Sequence, residues 1–135
     1  YNPKLHTIAV IHAGWRGVVQ NIVTQTIDVL LKQPETHPSE MFVAIGPGLQ
    51  SECFEVQSDV YSHFSDEFLS SHQESSKKYL DLSAFIVHQI ESIKIPPEQV
   101  YKSSNCTKCN HQDYYSHRRD GEKTGRMLGI IGIQH

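Results

Sequence analysis

The sequence predicts a mixed α/β fold, with α+β layers in which helices pack on a mixed sheet. Three observations carry this. Short β-branched apolar runs alternate with longer segments of helical period. No repeat, low-complexity tract or linker interrupts the chain. Its 135 residues, 38% of them apolar, suit a single domain spanning 1–135 with a core of its own.

The elements follow in order. "TIAVI" (7–11) reads as a buried strand. In "GVVQNIVTQTIDVLLKQ" (17–33), Val18, Ile22, Ile27, Leu30 and Leu31 recur as one face of a helix, which Pro34 and Pro38 end. "MFVAIG" (41–46) is a second strand. "VQSDVYSHFSDEFLSSH" (56–72) places Val56, Val60, Phe64 and Phe68 at four-residue steps, which predicts a helix. "QESSKK" (73–78) is polar and predicts a loop. "LSAFIVHQIESIKI" (82–95) is a further amphipathic helix with Asp81 or Ser83 as N-cap, stopped by "PPEQ". "VYKSS" (100–104) predicts a strand, "NCTKCNHQD" (105–113) a loop, and "RMLGIIGI" (126–133) a closing strand. The first residues, "YNPKLHTIAVIH", lack an initiator Met and enter a strand almost at once. The expectation is a piece of a longer polypeptide, with a sheet incomplete at its N-terminal side; a processed or trimmed chain would read the same way.

Composition narrows the function. A net charge of −3 gives no footprint for nucleic acid. No apolar run approaches the roughly 20 residues of a membrane helix, and no secretory signal is expected. An odd count of three cysteines, Cys53, Cys106 and Cys109, argues for a reducing, cytoplasmic setting over a disulfide scaffold.

The candidate chemistry begins at "HAGWRG" (12–17), which holds the single Trp. His12 ends a strand just before a helix, a common place for functional groups in α/β folds. Gly14 and Gly17 permit close backbone approach, the helix start after Gly17 offers free N–H groups, and Arg16 adds a planar cation. Either this is an anion pocket beside an imidazole, or His12 and Trp15 pack a strand–helix junction. "IGPGLQSECFEV" (45–56) repeats the theme: Gly46, a rigid Pro47 and Gly48 lead to Cys53, which is a nucleophile, a metal ligand or a small buried residue. "CTKCNH" (106–111) resembles half of a zinc site. Three ligands within six residues make a strained cage, so Cys106, Cys109 and His111 are not expected to hold structural zinc unless His117 or another chain joins them. "YYSHRRDGEKTGRM" (114–127) gathers Arg118, Arg119 and Arg126 beside glycines, either to grip phosphate bidentately or as a solvated hairpin.

Taken together in this order and spacing, "HAGWRG", "IGPGLQSECFEV", "CT" and "YYSHRRDGEKTGRMLGII" resemble the C-terminal half of the YfiH/YlmD family, also called laccase-domain or polyphenol-oxidase-like. The resemblance covers residues 7 to 133. It implies a YfiH-like fold, one also likened to a bacterial toxin's Cys–His catalytic domain. It implies a zinc held by two histidines and a cysteine, with His12 as one ligand. The other two belong to NQVHG-like and ADC-like motifs that these residues do not contain. Copper can displace zinc from such ligands, but zinc ranks first. The implied activity is phosphorolysis of adenosine, inosine, guanosine and methylthioadenosine, and deamination of adenosine. The implied partners are a purine nucleoside and phosphate, with no nucleic acid and no membrane.

Residue roles follow from that resemblance. His12 and Arg16 are the expected catalytic residues. Trp15, Gly14, Gly46, Pro47, Cys53, Arg118, Arg119 and Arg126 are expected to surround substrate or phosphate, with Arg16 and at least one C-terminal arginine in the same pocket. Two other readings stay open. The chain is a catalytically incomplete fragment or partner subunit with a binding role, or it is a cysteine hydrolase using Cys53 and His12. A homodimer and a missing N-terminal segment are both compatible with the sequence.

Overall fold

A computed structural model describes residues 1–71 and 76–134. Its elements run α1 (Trp15–Val19), α2 (Ile22–Leu31), β1 (Val43–Ile45), β2 (Glu55–Val56), α3 (Ser58–Tyr61), β3 (Leu69–Ser71), β4 (Lys78–Leu80), α4 (Leu82–Ser92), β5 (Val100–Lys102) and α5 (His117–Asp120). The mixed α/β class holds. β1 pairs parallel with β5, in the register Val43–Val100, Ala44–Tyr101 and Ile45–Lys102. β4 lies between β2 and β3 and is antiparallel to both.

Two compact units share the chain. Unit one holds residues 1–45, 84–102 and 129 onward; unit two holds 46–83 and 103–128. Val18, Val23, Ile27, Met41, Ile86, Ile90 and Ile95 form the buried apolar core of unit one. Of the face foreseen for the first helical stretch, Val18 and Ile27 are buried and Ile22, Leu30 and Leu31 half-buried, while Val23, outside that face, joins the core. Phe54, Val56, Val60, Phe64 and Leu80 are the buried set of unit two.

Three expectations are corrected. The helix foreseen over 17–33 opens earlier, at Trp15, and breaks into α1 and α2. Asn21 makes the break at φ 60°, a left-handed conformation that asparagine tolerates. The buried Gln89 of α4 locks this joint, its Nε2 donating to the Val18 carbonyl (3.0 Å) and to Asn21 Oδ1 (3.1 Å).

The helix foreseen over 56–72 is a single turn, α3, flanked by β2 and β3. Val56, Val60 and Phe64 are buried as their spacing implied. Pairing of Glu55–Val56 and Leu69–Ser71 onto β4 overrides the helical period, in a stretch whose Ser and Asp side chains compete for the backbone. Of the predicted loop 73–78, residues 73–75 lie outside the described residues, and Lys78 opens β4.

The strands foreseen over 7–11 and 126–133 do not form among the described residues. Thr7 makes only an isolated bridge to Asn2. A β-branched run becomes a strand only when a neighbour takes its N–H and C=O groups. Val10 Cγ1 comes within 3.7 Å of where a Cβ on Gly129 would stand, yet no ladder joins the two segments. Several of their apolar side chains stay open, with Val10 60% and Ile130 86% exposed.

Candidate active site and thiol cluster

In unit one, Gly14 caps α1 and its carbonyl accepts from the Val18 N–H at 3.0 Å. A Cβ on Gly14 would stand 3.0 Å from His12 Nε2, 3.6 Å from Cδ2 and 3.8 Å from Cε1. The imidazole therefore lies against the bare Gly14 backbone, and the glycine is what admits it. Gly17 serves packing instead, since a Cβ there would meet Ile22 Cγ2 at 3.2 Å. The Arg16 guanidinium stacks over the Trp15 ring at 4.4 Å, which holds its cation in place on one turn of helix. His12 and Arg16 are both exposed.

Unit two positions the remaining candidates. Gly46, Pro47 and Gly48 form a loop in which a Cβ at either glycine would meet nothing within 4 Å, so bare backbone faces open space. Gly48 bridges to Cys106, and its carbonyl accepts from the Thr107 N–H at 3.0 Å. Gln50 spans the same two segments, its Nε2 donating to the carbonyls of Ser103 and Asn105, each at 3.5 Å. Cys53 closes a short 3-10 turn, donating its N–H to the Gln50 carbonyl.

The result is a cluster the sequence reading did not assemble. The sulfurs of Cys53, Cys106 and Cys109 all lie within 4.8 Å of one another, with Cys53 and Cys109 at 3.3 Å. These three cysteines are placed to hold a metal ion. His111 is not a member of the group. Burial pushes the Cys53 thiol up to about 12, helped by its two thiol neighbours. Burial also raises the Cys106 thiol, but backbone N–H groups of Gln50, Cys109 and Lys108 outweigh it and bring it down to about 7. The signal available in the sequence was arithmetic: a CxxC lacking ligands, and one further cysteine in the chain.

The three C-terminal arginines differ. Every N–H of Arg119 is engaged. Nε and Nη2 grip the Asp120 carboxylate at 2.8 and 2.7 Å, and the other donors reach the carbonyls of Thr107, Lys108 and Tyr114. Arg119 therefore holds its loop, and no donor is left over for a phosphate. Arg118 donates from Nη1 to the Glu55 carbonyl at 2.7 Å and sits 5.5 Å over the Phe54 ring. Arg126 donates from Nη1 to the carbonyls of Thr124 and Gly125. Both are exposed and keep N–H groups that these bonds do not use. At Gly125 a Cβ would stand 2.7 Å from the exposed Tyr115 ring, which would have to swing aside.

The model of the family described as multi-copper polyphenol oxidoreductase laccase matches residues 1–134. The chain belongs to that family. Among its relatives is the purine nucleoside phosphorylase YlmD of Bacillus subtilis, 30% identical over 139 residues that cover 99% of this chain and 50% of the relative. The adenosine deaminase RL5, from an unknown prokaryotic organism, is 30% identical over 127 residues, covering 90% of this chain and 48% of the relative. The crystal structure of YfiH from Bacillus licheniformis superposes with a TM-score of 0.79 at 26% identity, over 90% of this chain and 48% of that one. The chain thus spans about half the length of these relatives. Among the described residues no helix is long and apolar enough to cross a membrane.

A catalytic zinc takes three protein ligands and keeps a fourth position open. Among the described residues the one group of three candidate donors is the cysteine cluster, and His12 is not in it. A zinc at His12 therefore needs donors from outside these residues.

Proposed function

We propose that this chain is the C-terminal part of a zinc-dependent purine nucleoside enzyme. It phosphorolyses adenosine, inosine, guanosine and methylthioadenosine and deaminates adenosine. The carrying observation is the exposed His12 imidazole against Gly14, with the Arg16 cation stacked on Trp15 at the start of α1. Two relatives, a purine nucleoside phosphorylase and an adenosine deaminase, support the substrate class.

In phosphorolysis a phosphate oxygen attacks the anomeric carbon. The bond from that carbon to the purine nitrogen breaks, its electron pair leaves with the base, and the base takes up a proton. The chain's part is to hold the phosphate's charge and position, a task that suits an exposed arginine such as Arg16 or, separately, Arg118 or Arg126. Trp15 offers an aromatic wall, and the bare backbone of Gly46-Pro47-Gly48 lets a ligand approach closely. In deamination a water oxygen replaces the exocyclic amine, which leaves as ammonia; zinc, when bound, activates that water. His12 is the one ligand assigned to it here, with zinc preferred to copper. Three free thiols suit a reducing cytoplasm.

The lone donor at His12 also favours a second reading, a partner subunit or fragment that is inactive until the other ligands join it. The high Cys53 thiol counts against a cysteine hydrolase, which needs a thiolate near neutral pH. A product screen on inosine with phosphate tests the proposal. Hypoxanthine with ribose 1-phosphate is expected from the chain extended upstream. Absence of both, with zinc supplied, would refute it.

A further inference from the structure

We infer that Cys53, Cys106 and Cys109 form a zinc site of their own, a trithiolate whose fourth position is open to water or an added ligand. It uses no residue assigned to the nucleoside chemistry apart from Cys53, which moves from a substrate role to a metal role. The inference does not depend on the proposed activity.

Four observations carry it. First, the donor set is right: three sulfurs, the ligand type that selects thiophilic cations such as zinc. Second, the spacing is right. Cys106-x-x-Cys109 is the usual pairing of zinc-binding cysteines, and the Asn110 N–H donates to the Cys106 carbonyl at 3.0 Å to close that turn. Third, the distances are right. Zinc–sulfur bonds of about 2.3 Å at tetrahedral angles set sulfurs roughly 3.8 Å apart. Here one pair stands at 3.3 Å and all three lie within 4.8 Å, so small side-chain rotations bring them into register.

Fourth, the third ligand is held in place by the fold. Cys53 sits 56 residues from Cys109, yet the Gly48–Cys106 bridge, the Thr107–Gly48 bond and the Gln50 side chain tie the two segments together. The objection that three ligands crowd into six residues no longer applies, because Cys53 replaces His111. A disulfide between Cys53 and Cys109 would use only two of the three sulfurs and would need an oxidant; one metal ion satisfies all three.

The experiment titrates zinc into the reduced, metal-free chain and counts the thiols that resist an exposed-thiol reagent. One equivalent of zinc is expected to protect three thiols together. Cadmium, as a spectroscopic probe, is expected to give thiolate charge-transfer absorption that saturates at one ion per chain. Cys53→Ser should lower zinc affinity to about a tenth or less of the original, since a ligand is lost. His111→Ala and His12→Ala should leave both signals unchanged. Should Cys53→Ser fail to fold, the thiol count and cadmium stoichiometry of the unaltered chain decide alone. Zinc that leaves all three thiols reactive, or a reduced chain that binds no cadmium, would overturn the inference. So would Cys53→Ser binding zinc as the original does.

Discussion

Arg119 and Asp120 are sequence neighbours joined by a two-pronged ion pair, Nε to Oδ1 at 2.8 Å and Nη2 to Oδ2 at 2.7 Å. That grip leaves the remaining donors of Arg119 aimed at three backbone carbonyls, those of Thr107, Lys108 and Tyr114. The loop after Cys106 and the segment before α5 are thus pinned by one guanidinium. Lysine has too few donors, in the wrong geometry, to replace it.

Arg119→Ala should therefore act on stability. At about 1 kcal/mol for each lost bond to a part-buried carbonyl, the expected loss is about 2 kcal/mol. Arg118→Ala and Arg126→Ala should change stability by less than about 0.5 kcal/mol, as surface substitutions do, and raise the KM for phosphate instead. Denaturant midpoints and phosphate kinetics on the three variants check this.

The same pair predicts a pH effect. The Arg119 hydrogen bond holds the Asp120 carboxyl below its ordinary 3.8. A depressed pKa gives stability that is present above the unfolded value and lost as pH falls through the folded one. Asp120→Asn should flatten the decline of unit two's stability below about pH 4, read by thermal melts from pH 2 to 6. The contribution is small, because the carboxylate is solvent-exposed.

Gly14→Ala should separate activity from folding. Its Cβ would press His12 Nε2 at 3.0 Å, and the imidazole must move. A displaced metal ligand should cost roughly tenfold to a hundredfold in kcat/KM, with a melting temperature close to the original. Gly17→Ala, by contrast, meets Ile22 at 3.2 Å and should lower stability by about 1 kcal/mol through overpacking.

The thiols of the metal-free chain should react in a set order. Cys106, brought down to about 7, should be alkylated by iodoacetamide near neutral pH, while Cys53, pushed up to about 12, should lag behind it. Peptide mapping after timed labelling reads this. Faster labelling of Cys53 at pH 7 would revive the nucleophile reading.

Local signals were legible where local rules decide. β1 and β5 follow from β-branched apolar runs, and α4 follows from its period and from the Pro96-Pro97 stop. His12 stood out because a strand-like run ended in histidine, tryptophan and arginine among glycines. Features set by distant partners were not legible. Val56 and Phe68 share a four-residue period with Val60 and Phe64, but Val56 pairs with Lys78 of β4 and Phe68 ends a 3-10 turn just before β3 joins the same ladder. Residues 8–11 and 126–133 have strand composition and no ladder among the described residues, which composition cannot reveal. The Arg119 bonds and the Cys53 contact join residues that only the folded backbone brings together.

The most direct test of the central claim is phosphate-dependent base release from inosine by the chain extended upstream, compared with its His12→Ala variant at matched zinc. Turnover is expected to rise with phosphate and saturate, and to fall at least about a hundredfold in the variant, the scale of losing a principal electrostatic group. The 135-residue chain by itself should give little or none, because among the described residues His12 stands in no group of three donors that could hold a metal. Base release that ignores phosphate, or that survives in His12→Ala, would contradict it.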